Sequence, residues 1–205
     1  MAKLDFWFEF ASTYSYPAAM RIADLAAAAG VTVRWRPFLL GAIFQAQGLS
    51  TSPFNVNPVK GRNMLRDLER QCAALSLPFR KPEPFPQASL LAARVALVGL
   101  EEGWGEDFVR AVYRAEFADC RQIGDVAVIG ELLAELKQDP KAVAARAQSD
   151  AIKAKLRANT EEAQHLGVFG APSFVTQDGE LFWGNDRLEQ ALDWAKNAAL
   201  AKAAV

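Results

Sequence analysis

The segment Leu4-Asp5-Phe6-Trp7-Phe8-Glu9-Phe10 runs directly into Ala11-Ser12-Thr13-Tyr14-Ser15-Tyr16-Pro17. Leu4, Phe6, Phe8 and Phe10 alternate with Asp5, Trp7 and Glu9, a period of two that predicts a strand over 4–10. The small polar run 11–15 reads as a loop. Pro17 then suits the first turn of a helix, where a missing N–H costs nothing. Met20, Ile22, Leu25 and an alanine run carry that helix to Gly30, a natural C′ residue. Val31, Val33 and Trp35 alternate with Thr32, Arg34 and Arg36, giving a second strand before Pro37. Strand, helix and strand in this span make a βαβ unit with parallel strands and a right-handed crossover.

Beyond it, 38–57 is rich in Gly, Ser, Pro and Asn and predicts a loop with a short helix near 41–47. Met64, Leu65, Leu68, Cys72 and Leu75 then recur at helical spacing, and the prolines of 78–86 break the run. Helical patterns follow over 89–100, 107–117, 126–136, from Asp139-Pro140 onward, and over 151–165. Pro58 to His165 therefore reads as an all-helical block. At Gly167 the pattern changes: Ser173–Thr176 and Glu180–Trp183, joined at Asp178-Gly179, predict a β-hairpin. Asp186 with Glu189 resembles a capping box, and Leu188, Ala191, Leu192 and Ala195 line a last helix.

The totals narrow the function classes. Of 205 residues, 51% are hydrophobic, ample for a packed core. Lys+Arg 23 against Asp+Glu 24 leaves a net charge of -1, with no basic cluster to suit nucleic acid or a membrane surface. No signal peptide fits Met1–Asp5, and a cytoplasmic location is expected. Cys72 and Cys120 stand apart, neither in a CxxC, and are expected as free thiols. With one histidine, His165, at a helix end, no metal site is expected.

The order βαβ, helical block, ββα resembles a thioredoxin-like fold with a large insertion: an α/β chain in which 1–40 and 166–205 form a discontinuous thioredoxin-like domain and 41–165 an inserted helical one. Three stretches narrow the likeness: the loop Phe10–Tyr16, the segment Asn55–Lys60, and the tail Phe169-Gly170-Ala171-Pro172-Ser173 with Trp183-Gly184-Asn185-Asp186-Arg187-Leu188. They resemble the DsbA-like group containing kappa-class glutathione transferases and 2-hydroxychromene-2-carboxylate isomerases, the isomerases most of all.

That resemblance implies glutathione as cofactor, a small aromatic carboxylate as substrate, and a homodimer. It sets Ser12 and Ser15 where redox relatives carry cysteines, so disulfide exchange through this loop is excluded. A Ser12 hydroxyl would donate to the sulfur of glutathione and favour its thiolate at the positive end of the helix; the same serine would equally serve as an N-cap. The resemblance also implies a cis Ala171-Pro172 bond beside Ser12, with Ala171 pairing to the cysteinyl unit; an ordinary trans proline opening a strand fits the local sequence too. Asn185 and Asp186, behind Trp183-Gly184, would hold the γ-glutamyl end, or act only as caps. Asn55 and Lys60 would hold the tripeptide as well, or Lys60 is a surface lysine. Trp183, Tyr14 or Tyr16 would wall an aromatic pocket. Thr13 departs from the proline usual there, and 38–44 offers no basic group for a substrate carboxylate.

Overall fold

A computed structural model describes residues 2–48 and 56–203. Its centre is β1, Ala2–Phe8, which pairs in parallel with β2, Val31–Pro37, and antiparallel with β3, Ser173–Thr176. Strand β4, Leu181–Trp183, completes the sheet in the order β2-β1-β3-β4. Helix α1, Ser15–Ala29, makes the crossover and ends on Gly30 at φ 69°, whose amide donates to the carbonyls of Ala26 and Ala27. This left-handed C-cap is the geometry that favours glycine.

Strand β1 is shorter than its alternation predicts. It stops at Phe8 because the chain turns there, the amide of Ser12 donating to the carbonyl of Glu9 at 3.0 Å. Its second face is open to solvent at Lys3 and half-buried at Asp5, but it is covered from Trp7 onward. Leu4, Phe6 and Phe8 enter the main core, while Trp7 packs in a second cluster with Phe38, Ile43, Ala163, Val168, Ala171 and Val175. Glu9, just past the strand, is buried at 5% exposure. Covering both faces of a central strand removes the polar/apolar contrast from its sequence.

The inserted helices are α2, Leu40–Ala46; α3, Pro58–Ala74; α4, Leu90–Glu102; α5, Gly105–Phe117; α6, Val126–Glu135; α7, Pro140–Ala147; and α8, Asp150–His165. No strand interrupts 58–165. Caps explain the starts: Asn57, Asp125, Asp139 and Ser149 each accept from an amide of the first turn, and Pro58 and Pro140 sit where their absent N–H is harmless. The main hydrophobic cluster runs unbroken from the sheet through α1 into α4, α5, α6, α7 and α8. Each large side chain buried there contributes roughly 1.5–3 kcal/mol.

The last helix, α9, Leu188–Ala203, packs on β1 and α1. The capping box expected from Asp186 and Glu189 does not form. The chain passes from β4 through a single 3₁₀ turn, Asn185–Arg187, straight into α9. Asp186 pairs with Arg187 instead, and Glu189 is held by Arg21 of α1 at 2.5 Å. Tyr16 is also corrected, from pocket wall to core: it is fully buried, stacks on Phe117, and donates its hydroxyl to the Pro78 carbonyl. Among the described residues no helix is long and apolar enough to cross a membrane.

Candidate active site

The loop after β1 delivers Ser12 to the start of α1. Ser12 does not cap that helix, whose N-cap residue Tyr14 makes no side-chain cap bond. Its hydroxyl donates across the fold to the carbonyl of Ala171, at 2.7 Å and 159 residues away in sequence. The Ala171-Pro172 bond is cis. Ser12 thus meets the main chain just before Pro172, above the start of α1, where the helix dipole favours an anion; the amides of Ser15 and Tyr16 there donate to the carbonyls of Ser12 and Thr13.

Ser12 and Ala171 open onto a cleft of about 670 Å³, lined also by Glu9, Tyr14, Phe44, Lys60, Phe85, Gln87, Ser89, Phe169 and Trp183. That volume lies within the range of small-ligand sites. Phe169 and Trp183 pair at 5.0 Å between ring centroids and leave about half their surface exposed, making one aromatic wall. Gly170 lies so close under Trp183 that any Cβ there would collide with the indole. Phe44 of α2 and Phe85 of the proline-rich segment line the cleft from the insertion. Lys60 is the only lysine or arginine among the described lining residues; its amide fixes the start of α3 by donating to Asn57 Oδ1.

Loop and helix α3 are tied together. Thr13 Oγ1 donates to Met64 Sδ at 3.5 Å, a use that a proline there would not have. Tyr14 donates to Asp67 Oδ2 at 2.9 Å, and burial with that carboxylate raises its phenol above the ordinary range. Gln71 also donates to Asp67 and accepts from Asn185 Nδ2 at 2.8 Å, while Asn185 Oδ1 accepts from Arg21. A continuous chain of bonds therefore runs from the Ser12 loop through α3 to the turn before α9.

The sequence-predicted residues part into two sets. Ser12, Lys60, Ala171 and Trp183 line the cleft. Pro172 and Gly184 shape it from behind, Gly184 at φ 110° with its amide donating to the Pro172 carbonyl. Asn185 faces inward at 6% exposure, its amide group engaged by Gln71 and Arg21. Asp186 is exposed beside Arg187. Asn55 lies outside the described residues. Cys72 and Cys120 are free and neither lines the cleft; burial pushes the Cys72 thiol up to about 11. Among the described residues no group of acidic, histidine or cysteine side chains could hold a metal ion.

Glu9, Gln87, Ser89 and Asp67 carry no sequence signal. Glu9 stands on what the alternation marks as a polar face, yet its carboxylate accepts from the amides of Leu40 at 3.0 Å and Ala11 at 3.4 Å. Burial pushes its carboxyl above the usual range, against the hydrogen bonds from Ser89 and the main chain. Only the meeting of β1, α2 and the start of α4 exposes it as part of the cleft.

A cysteinyl thiol with flanking peptide groups fits these contacts. Ser12 offers a donor, Ala171 a main-chain carbonyl, Lys60 a cation and Trp183 an apolar face.

The DSBA-like thioredoxin domain model matches residues 3–194. A 2-hydroxychromene-2-carboxylate isomerase of Sphingobium xenophagum is 31% identical over 190 residues, covering 91% of this chain and 94% of the relative. Glutathione S-transferase kappa 2 of Caenorhabditis elegans is 26% identical, over 93% of this chain and 90% of the relative. A solved 2-hydroxychromene-2-carboxylate isomerase structure superposes with a TM-score of 0.86 at 25% identity, covering 98% of each chain. These matches run over nearly the whole chain, and the chain belongs to the 2-hydroxychromene-2-carboxylate isomerase family of DsbA-like thioredoxin-fold proteins, with kappa-class glutathione transferases among its relatives.

Proposed function

We propose that the protein is a glutathione-dependent isomerase interconverting 2-hydroxychromene-2-carboxylate and trans-o-hydroxybenzylidenepyruvate in aromatic catabolism. The carrying observation is the Ser12–Ala171 contact at the mouth of an aromatic-walled cleft. When bound, glutathione would supply a thiolate that adds to the conjugated substrate and is returned unchanged after a bond rotation. Ser12 turns its hydroxyl from the Ala171 carbonyl toward the sulfur and holds it as the anion, a charge-assisted bond worth roughly 1.5–3 kcal/mol. The released Ala171 carbonyl accepts the cysteinyl N–H, so neither group loses a partner. Lys60, with Asn55, steadies the tripeptide or the substrate carboxylate. Asp186 and the backbone of the 184–187 turn meet the γ-glutamyl end, while the Asn185 side chain keeps the turn in shape. Phe44, Phe85, Phe169 and Trp183 exclude water around the aromatic substrate. The working state in this reading is a cytoplasmic homodimer.

A kappa-like transferase would use the same residues, and the similarity to glutathione S-transferase kappa 2 favours it as the second reading. Calorimetry with glutathione and with cysteinylglycine tests the binding site. Tight binding of glutathione and weak binding of cysteinylglycine are expected; equal affinities would remove the γ-glutamyl contacts. Turnover of the chromene with glutathione undiminished separates isomerase from transferase.

A further inference from the structure

Glu9 is a cleft residue that binding of the tripeptide leaves without a task. Its surroundings are one-sided. The carboxyl oxygens receive the amides of Leu40 and Ala11, and the Ser89 side chain hydrogen-bonds them too. No cation is among these partners. Behind it lies Glu116 of α5, fully buried with both carboxyl oxygens unpartnered, and Tyr113, whose hydroxyl donates to the Glu9 main-chain carbonyl at 3.0 Å. Lys60 of α3 lines the same cleft.

Two neighbouring buried carboxyls without a counter-cation cannot both ionise, because desolvation and mutual repulsion both oppose the second charge. The donors sit on Glu9, so Glu9 ionises first, and its charge then helps keep Glu116 neutral. Glu9 is therefore a carboxyl able to hold or release one proton while part of its surface faces the ligand space. Glu116 and Tyr113 are sealed off and take no part in that exchange.

We propose that Glu9 is the proton-exchanging group of the cleft, giving a proton to the substrate oxygen that becomes anionic as a carbon–sulfur bond forms and recovering it as that bond breaks. The inference rests on the glutathione-dependent reading above. As the sulfur electron pair makes the new bond, the conjugated π pair moves onto the substrate's carbonyl oxygen. That oxygen takes the Glu9 proton and the carboxyl keeps the O–H pair as a carboxylate. On elimination the proton returns to Glu9 and the π pair reforms the double bond, so nothing is consumed. The same charge balance sets a specificity. A neutral carbonyl or hydroxyl is accepted beside Glu9, whereas a substrate carboxylate is turned away toward Lys60.

The test compares wild type, Glu9→Gln and Glu9→Asp in three readouts: calorimetry with glutathione, turnover of trans-o-hydroxybenzylidenepyruvate against pH, and infrared titration of the ligand-free proteins. Glu9→Gln should bind glutathione within about threefold of wild type. It should lose about a hundredfold in kcat, the lower range for a general acid, together with the alkaline limb of the pH profile. Glu9→Asp should keep that limb at reduced rate. A neutral-carboxyl infrared band, present in wild type near neutral pH and missing in Glu9→Gln, should titrate over the same pH range as the limb. Turnover of Glu9→Gln within threefold of wild type, or a slow variant with an unchanged limb, overturns the proposal. If wild type leaves the substrate untouched, the isomerase reading fails by itself and Glu9 is judged by infrared alone: a neutral Glu9 near pH 7 supports its role, an ionised one overturns it.

Discussion

The loop 11–15 and the turn 183–187 look alike in sequence and behave differently in the fold. Both are short segments leading into a helix and carry small polar side chains, Ser12 and Thr13 in one and Asn185 and Asp186 in the other, and both read as ligand-binding or capping. In the loop, Ser12 reaches across to Ala171 and borders open cleft, while the helix behind it stays uncapped by any side chain. In the turn, Asn185 faces inward and its whole amide group is engaged by Gln71 and Arg21. The lesson is that a helix start becomes a site when its polar side chains have a single reversible partner, and scaffold when they are saturated by side chains from other elements.

That contrast breaks most easily at Ser12. Ser12→Ala should slow turnover of the folded protein about ten- to a hundredfold and raise the pKa of bound glutathione, since a hydrogen bond to a charged atom is lost. Glutathione affinity should change less. The ultraviolet absorbance of the thiolate against pH, with steady-state rates, checks both; intact turnover and pKa beside a lowered Tm would move Ser12 into the same class as Asn185. Conversely, Asn185→Ala leaves the Gln71 side-chain carbonyl without its partner and removes one acceptor of Arg21, which keeps Glu189 and the main-chain carbonyl of residue 185, and should cost about 1–3 kcal/mol of folding stability by urea denaturation. Turnover of the protein that remains folded should stay within about threefold. A collapse in rate without loss of stability would make the turn part of the site.

Legibility in the sequence follows the same divide. The order of elements was readable because strands and helices have different periods, and because Gly30, Asn57, Asp139 and Pro140 punctuate them with ordinary cap chemistry. Ser12, Ala171, Trp183 and Lys60 were readable as candidates through their motifs. The cleft's other wall was not. Phe44, Phe85, Gln87 and Ser89 come from segments that share no motif, and only tertiary packing brings them opposite the loop. Glu9 misled for a physical reason: both faces of the chain are covered from Trp7 onward, and the position that alternation assigns to solvent is closed over by Leu40 of α2 and Ser89 before α4. Asp186 and Glu189 fit a capping pattern, yet Arg21 offers Glu189 a charged partner that outcompetes a cap.

Glu116 gives the finest test of what a saturated interior tolerates, because it is buried like Asn185 but its carboxyl oxygens have no partner at all. Burial, and behind it the charge of Glu9, hold its carboxyl well above the ordinary range. A carboxyl raised in the folded state binds its proton more tightly there than in the unfolded chain. Its contribution is thus complete below the unfolded value near 4.5 and is lost as the pH climbs from there toward the folded value. Over that window one proton's difference lowers stability by about 1.4 kcal/mol for each pH unit. Glu116→Gln cannot ionise in either state, so its stability should fall less steeply with rising pH than that of wild type. The two proteins should lie closest near pH 4 and separate toward pH 8, with the glutamine variant favoured. Glu9 titrates in both proteins, so the difference between the two slopes isolates Glu116. Urea denaturation at a series of pH values measures it, and parallel slopes would show that the folded protein ionises Glu116 as readily as the unfolded chain does.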